Sequence, residues 1–146
     1  MMISTKGRYA LRVMLDLAQY DGEYVSLKEI ATRQEVSLKY LEMIVAMLHK
    51  AGLVRSMRGK EGGYRLAQPP GRIAIGSILR LTEGGLAPVS CLKQGTEPCP
   101  RAEGCPTLPL WKELHAVVNH YLDGVTLQDM LAGAIPAGTP GTATPE

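Results

Sequence analysis

The chain contains no phenylalanine and a single tryptophan, and aromatic residues make up only 5% of it. A core built from it must therefore rest on Leu, Ile, Val, Met and Ala, which a 45% hydrophobic content supplies in ordinary globular amount. No apolar run approaches the roughly 18 residues that a membrane-crossing helix needs. The opening MMISTKGRYALR lacks both the uninterrupted apolar segment and the small-residue cleavage site of a secretory signal. The expectation is a cytoplasmic protein with no membrane partner. A disulfide scaffold is also missing. Three cysteines, Cys91, Cys99 and Cys105, make an odd number confined to 15 residues, whereas a secreted framework uses an even number spread through the chain. In a reducing compartment such clustering points to metal ligation or redox chemistry. Catalytic machinery is not visible either. A cysteine nucleophile needs a base beside it, and His49, His115 and His120 all fall in helical patterns with no recognisable motif. The chain does not read as an enzyme.

What is present has a direction. Net charge is only +2, but residues 1–65 carry 11 Lys and Arg against 7 Asp and Glu, while residues 66–146 carry 5 against 7. A basic N-terminal half suits phosphate binding, and a solvated surface with a mild bias explains it as well. A chain of 146 residues fits one domain, or one small domain with an appended element.

The spacing predicts a first helix over Thr5–Tyr20, with Tyr9, Ala10, Val13, Met14, Leu17 and Ala18 as its inner stripe. Lys6, Arg8, Arg12 and Asp16 lie elsewhere around the cylinder. Lys6 and Arg8 either reach phosphates or are plain solvated charges. Asp21-Gly22 ends this helix. Ser26-Leu27-Lys28-Glu29 then has the form of a capping box, opening a short helix Leu27–Arg33 that buries Leu27, Ile30 and Ala31. After a turn at Gln34-Glu35-Val36, Ser37 caps a further helix over Leu38–Ala51. Leu41, Ile44, Val45 and Leu48 form its inner stripe, and Gly52 fits a left-handed stop. Two short helices across a tight turn form a helix-turn-helix, whose second helix offers Ser37, Lys39, Tyr40 and Glu42 at its start. In such modules that end contacts base edges. Lys39 suits phosphate or guanine, Ser37 and Tyr40 suit phosphates, and Glu42 can accept from a cytosine amine. Exposed polar residues with no ligand are the alternative for each.

Leu53–Met57 and Gly63–Leu66 read as strands joined by Arg58-Gly59-Lys60-Glu61-Gly62-Gly63. Glycines there allow left-handed turns and close backbone approach. A nucleotide phosphate loop would need GxxxxGK[ST] before a helix, and neither condition holds. A DNA-contacting wing with Arg58, Gly59 and Lys60 at its tip fits, with an ordinary hairpin as the alternative. Gln68-Pro69-Pro70-Gly71 closes the first unit at about residue 70. Ile75–Thr82 is a short amphipathic helix, and Pro88–Pro106 a loop without periodicity. Thr107–Asp123 is a long helix carrying Leu110, Trp111, Leu114, Val117, Val118, Tyr121 and Leu122. That is a large apolar stripe for the last long helix of a small protein, and a twofold partner would cover part of it. Thr126–Leu131 forms a last short helix, and 133–146 has the composition of a disordered tail.

Four segments together are far more specific than a generic helix-turn-helix. They are Ser4-Thr5-Lys6-Gly7-Arg8-Tyr9-Ala10, Ser37-Leu38-Lys39-Tyr40-Leu41-Glu42, Arg58-Gly59-Lys60-Glu61-Gly62-Gly63-Tyr64, and the three cysteines followed by Leu110-Trp111. From about Met1 to Leu131 the chain resembles the IscR-type (Rrf family) bacterial winged helix-turn-helix transcriptional regulators. That group includes sensors of iron–sulfur clusters, nitric oxide and cysteine metabolism. The resemblance implies a mainly α fold with a small β-wing. A winged helix-turn-helix domain (1–70) would precede a cysteine-containing sensor loop and dimerisation helices (71–132) and the tail (133–146). It implies a homodimer joined through the long C-terminal helix, a double-stranded DNA operator as partner, and wings flanking the minor groove. It also implies a [2Fe–2S] cluster held by Cys91, Cys99 and Cys105, whose state sets operator affinity.

The cysteine pattern departs from the family's. Cluster-binding members have five residues in both gaps, and here the gaps are seven and five. Some relatives have a ligating His three residues past the third cysteine, where this chain has Leu108. Others have a carboxylate near the start of the first helix, where this chain has Arg8. Glu103, His115 and an external ligand stay open as a fourth ligand. Three soft thiolates also suit zinc. The expected function is a DNA-binding regulator of the repressor type, sensing iron–sulfur or redox status. Two alternatives stand beside it: a cluster-free regulator with a thiol or zinc switch, and a winged-helix protein-interaction adaptor.

Overall fold

The computed structural model describes residues 2–20 and 22–138. Its elements follow the expected order, mainly helical with one small antiparallel sheet. They are α1 (Thr5–Ala18), α2 (Leu27–Gln34), α3 (Leu38–Lys50), β1 (Val54–Met57), β2 (Gly63–Leu66), α4 (Ile75–Glu83), α5 (Leu108–Asp123) and α6 (Leu127–Leu131). Short 3₁₀ turns at Pro70–Arg72 and Ser90–Leu92 interrupt the connections. No helix among the described residues is long and apolar enough to cross a membrane.

Helix boundaries follow local chemistry. Ser4, Ser26 and Ser37 precede α1, α2 and α3, and each hydroxyl accepts from a backbone N–H three residues on, satisfying an amide that a helix start leaves unpaired. The T-x-x-D box Thr126–Asp129 at α6 is reciprocal: the Thr126 hydroxyl accepts from the Asp129 N–H and the Asp129 carboxylate from the Thr126 N–H. α1 stops at Ala18, two residues before the expected end, and Gly22 turns the chain at φ 84°. Asp21, the other half of that turn, lies outside the described residues.

One buried cluster joins the inner faces of α1, α2 and α3 to Val25, Val54, Ile73, Ile75, Ile78, Leu79, Leu86, Val125 and Leu127. α4 and α6 therefore pack on α1 and complete the core that the helix-turn-helix begins. The expected stripes of α1 and α3 hold their places. In α2 only Ile30 is buried, while Leu27 and Ala31 are half-buried at its edge. Asp16 is the correction. The periodicity sets it off the inner stripe of α1, yet it is buried, 2% exposed. Three donors make that burial tolerable: Arg33 Nε at 3.0 Å, Arg33 Nη2 at 2.7 Å and Gln34 Nε2 at 2.9 Å.

The wing is more than a hairpin. β1 and β2 pair from Val54↔Leu66 to Met57↔Gly63, and Val25 bridges to Tyr64 through two 2.9 Å hydrogen bonds. A side chain at Gly63 would run into the Val25 carbonyl, so this close backbone approach requires glycine.

At the other end of α1, the Glu83 carboxylate accepts from the Ser4 N–H at 3.1 Å and the Ser4 hydroxyl at 2.7 Å. An anion there complements the positive end of the helix. Gly7 leaves room for it, since a Cβ at that position would meet Glu83 Oε1. α5 is fastened to α4 by Arg80, which donates to Asn119 Oδ1 and pairs with Asp123. Of the tail expected over 133–146, residues 139–146 lie outside the described residues. Residues 133–138 are irregular and exposed, and the Tyr121 hydroxyl donates to the Pro136 carbonyl at 2.9 Å.

Candidate nucleic-acid interface and cysteine segment

α3 divides sharply. Leu41, Ile44, Val45 and Leu48 are fully buried, while Ser37, Lys39, Glu42, Met43 and Ala46 face solvent. The Ser37 hydroxyl accepts from the Tyr40 N–H at 3.2 Å and so starts the helix as well as standing at its exposed end. Tyr40 is half-buried, its ring edge-on to Tyr9 with centroids 5.9 Å apart. At the wing tip Arg58, Gly59 and Lys60 are exposed. Gly59 adopts φ 112°, and its carbonyl accepts from the Gly62 N–H at 3.1 Å. That conformation favours glycine and makes the turn that presents the two cations. On α1, Arg8 is exposed and donates to the Thr5 hydroxyl at 3.2 Å, and Lys6 is half-buried.

Among the described residues the ion pairs are Arg33–Asp16 and Arg80–Asp123. Lys6, Arg8, Lys39, Arg58 and Lys60 belong to neither. Among the described residues their positive charge has no ion-pair partner, which suits an anionic surface such as a phosphate backbone. The wing carries two further cations that sequence reasoning passed over. Arg55 stands opposite Arg65 across the strands, a like-charge register that is unfavourable without an external anion or a local sink. Arg65 finds such a sink over the Tyr24 ring, 4.8 Å from its centroid.

Sequence reasoning also missed the network behind α3. Asp16 holds Arg33 and Gln34, as described above. The Asp16 hydrogen bonds hold the Arg33 guanidinium above its ordinary range, against the opposing effect of burial. Arg33 further lies over the Tyr20 ring at 4.7 Å. Arg12 extends the network: its Nε donates to Gln34 Oε1 at 2.9 Å and its Nη2 to the Gln34 carbonyl at 2.8 Å. An acidic residue three positions after Val13 and one before Leu17 was the available signal, because it falls beside the apolar stripe.

The cysteines occupy the irregular segment between α4 and α5. Cys91 is exposed within the 3₁₀ turn, and Cys99 and Cys105 are half-buried. The Cys105 thiol lies 3.4 Å from the Thr107 hydroxyl. That hydroxyl, and then the Thr107 and Leu108 backbone N–H groups, pull the Cys105 thiol below its ordinary range, favouring the thiolate that metals bind. Three thiolates suit iron–sulfur or zinc chemistry. The arrangement does not yet make a site: among the described residues no three His, Cys, Asp or Glu side chains stand together to hold a metal ion. Glu103 is exposed and His115 half-buried on α5, and Leu108 and Arg8 offer no donor.

Comparison with known proteins gives these elements a context. The family described as "Rrf2: Iron-dependent Transcriptional regulator" matches residues 3–133. The HTH-type transcriptional regulator IscR of Aliivibrio salmonicida is 39% identical over 132 residues, covering 90% of this chain and 77% of that protein. The regulator CymR of Bacillus subtilis is 44% identical over 131 residues, covering 89% of each. The solved structure of CymR, described as the global cysteine regulator of B. subtilis, aligns with a TM-score of 0.74, covering 91% of this chain and 98% of that one.

Proposed function

Because the chain belongs to the Rrf2 family of DNA-binding transcriptional regulators, a family of regulators and not of enzymes, we propose that it is a homodimeric repressor reading paired half-sites in duplex DNA. One observation carries the reading. The exposed start of α3 and the exposed wing tip both present polar and cationic groups without ion pairs among the described residues. In this reading Lys39 and Glu42 meet base edges, guanine and cytosine respectively. Ser37, Tyr40, Lys6 and Arg8 hold phosphates and set register. Arg58 and Lys60 follow the backbone beside the wing, with Gly59 shaping their turn.

The dimer rests on α5. Leu110, Leu114 and Val117, at helical spacing i, i+4 and i+7, are 60%, 39% and 55% exposed. Val118, Tyr121 and Leu122 pack inward on the core. A second copy of α5 is the cover that twofold DNA reading supplies. Residues 1–70 would then read DNA, and 71–132 would sense and dimerise.

The sensing element is the cysteine segment, with Cys91, Cys99 and Cys105 as its protein ligands. A [2Fe–2S] group bound there would supply a redox-sensitive cross-link between the segment and the start of α5. The cysteines are not gathered in this conformation. That observation weighs on zinc as on the cluster. With a relative named for cysteine regulation, it favours as second reading a metal-free thiol switch on the same residues, a zinc switch remaining the other form of that reading.

Selection of duplexes from a random pool tests the DNA reading. An enriched pseudo-palindrome bound less tightly as salt rises is expected, and equal binding to all sequences would refute it. Protein purified without oxygen tests the sensor. Visible thiolate–iron absorption that Cys99→Ala removes supports the cluster, and a colourless protein with stoichiometric zinc excludes it.

A further inference from the structure

We propose that Arg12, an exposed residue of α1, is a positioning residue that sets the angle of α3 for sequence reading. The inference rests on the DNA-binding assignment and adds to it a residue that need not touch DNA.

Gln34 is the last residue of α2, and Glu35 after it adopts the left-handed conformation at φ 54°. A non-glycine residue rarely holds that conformation unless its surroundings impose it. Val36 and Ser37 follow, and α3 begins. The direction of α3 is therefore decided within the three residues after Gln34. Arg12 grips that point twice, through the side-chain oxygen of Gln34 at 2.9 Å and through its backbone carbonyl at 2.8 Å. One planar guanidinium thereby fixes the side chain and the main chain of the same residue. From the far side, Gln34 Nε2 donates to the buried Asp16, so the residue before the turn is held from both ends of its amide.

Arg12 is tied to α3 by a second route. Its guanidinium carbon lies 4.9 Å from the centroid of the Tyr9 ring. Tyr9 in turn meets Tyr40, in the first turn of α3, edge to face at 83°. The guanidinium thus connects the residue that enters the turn with a ring that leaves it. The Gln34 route needs a flat fork that donates twice in one plane, which a lysine ammonium does not supply. Over the Tyr9 ring, lysine offers a point charge in place of a stacked plane.

The alternative role for an exposed arginine one helical turn beyond Arg8 is a phosphate contact. The two roles separate experimentally, because a point charge replaces arginine well at a phosphate and poorly in a fork. The probe is the best duplex from the random-pool selection, with an unrelated duplex of equal length as competitor. Arg12→Lys is expected to weaken binding to the selected duplex about tenfold, equivalent to about 1.4 kcal/mol. Binding to the unrelated duplex and the slope of affinity against salt stay as in the parent protein. Arg12→Ala should match Arg12→Lys. In a Gln34→Ala background, which removes one of the two acceptors, Arg12→Lys should cost distinctly less.

The proposal is overturned if Arg12→Lys binds the selected duplex as the parent does. It is overturned equally if Arg12→Ala weakens both duplexes together and lowers the salt slope by about one, the signature of a lost phosphate contact. If the parent protein itself enriches no duplex, the DNA reading fails instead, and the two failures are distinct. Thermal melts accompany the binding measurements. A loss of affinity that merely tracks unfolding would lower binding to both duplexes alike and count against the proposal.

Discussion

Replacing Asp16 by Asn keeps the shape of the side chain and removes its charge, at a place where a carboxylate is buried behind the turn. The Asp16 side chain is 1% exposed, and it receives two hydrogen bonds from Arg33 and one from Gln34. An Asn oxygen placed where Oδ2 stands still accepts from Arg33 Nε and Gln34 Nε2, but the NH2 in the place of Oδ1 then faces the Arg33 Nη2 N–H. Removing one partner of a fully buried pair costs about 3–5 kcal/mol. The Arg33 side chain keeps 33% of its exposure, so water takes up part of the loss and about 2–3 kcal/mol is expected. For a chain of this size that corresponds to a fall in Tm of roughly 6–10 °C. The assay is thermal unfolding followed by circular dichroism, at one protomer concentration because a dimer couples melting to assembly. Replacing both partners by apolar residues, Asp16→Leu with Arg33→Met, should cost clearly less than the sum of the single changes, since no uncompensated charge is left behind. A fall of less than about 2 °C for Asp16→Asn, or a double variant as damaged as the sum, would show that the network contributes little and that the reasoning is wrong.

Leu110→Glu places a charge on the uncovered stripe of α5, where this residue is 60% exposed; sedimentation should show protomers replacing dimers while protomer helicity stays unchanged. Arg58→Ala at the wing tip should weaken binding to all duplexes by a similar factor and reduce the salt slope by about one, read from binding isotherms at several salt concentrations. Gly7→Ala drives a Cβ into Glu83 and the Thr82 hydroxyl, and overpacking of this kind costs about 1–3 kcal/mol; combining it with Glu83→Ala should recover part of the loss in a denaturant titration.

Much of the architecture is legible in the residues because it depends on local, periodic chemistry. Ser37 as a cap, Leu41 to Leu48 as an inner stripe and Gly52 as a stop are readable without tertiary context, and the structure places them as expected. The glycine-rich Arg58–Gly63 hairpin is readable for the same reason. What escapes depends on partners far away in the chain. Asp16 looks like any polar residue of α1 until Arg33 and Gln34, 17 and 18 residues later, fold over it. Val25 forms a single bridge to Tyr64, too short to leave any alternation. The Thr126–Asp129 box carries Asp where the commoner signature has Glu or Gln. The cysteine segment has no periodicity, and its thiols are not drawn together by secondary structure, so their spacing alone says little of where they stand.

The bridge from Val25 to Tyr64 has a mechanical meaning. Val25 immediately precedes the cap of α2, and its two hydrogen bonds to Tyr64 stitch the loop end of the β1–β2 ladder to the segment that feeds the helix pair. The tight approach at Gly63 leaves that seam no slack. The loop end of the hairpin is therefore tied directly to the segment entering α2. In the proposed reading of DNA, α3 and the wing tip would act as the two jaws of a caliper whose gap is set by backbone. Such a caliper would gauge the spacing of adjacent grooves, and with it the local twist and width of the duplex, alongside the bases at either jaw.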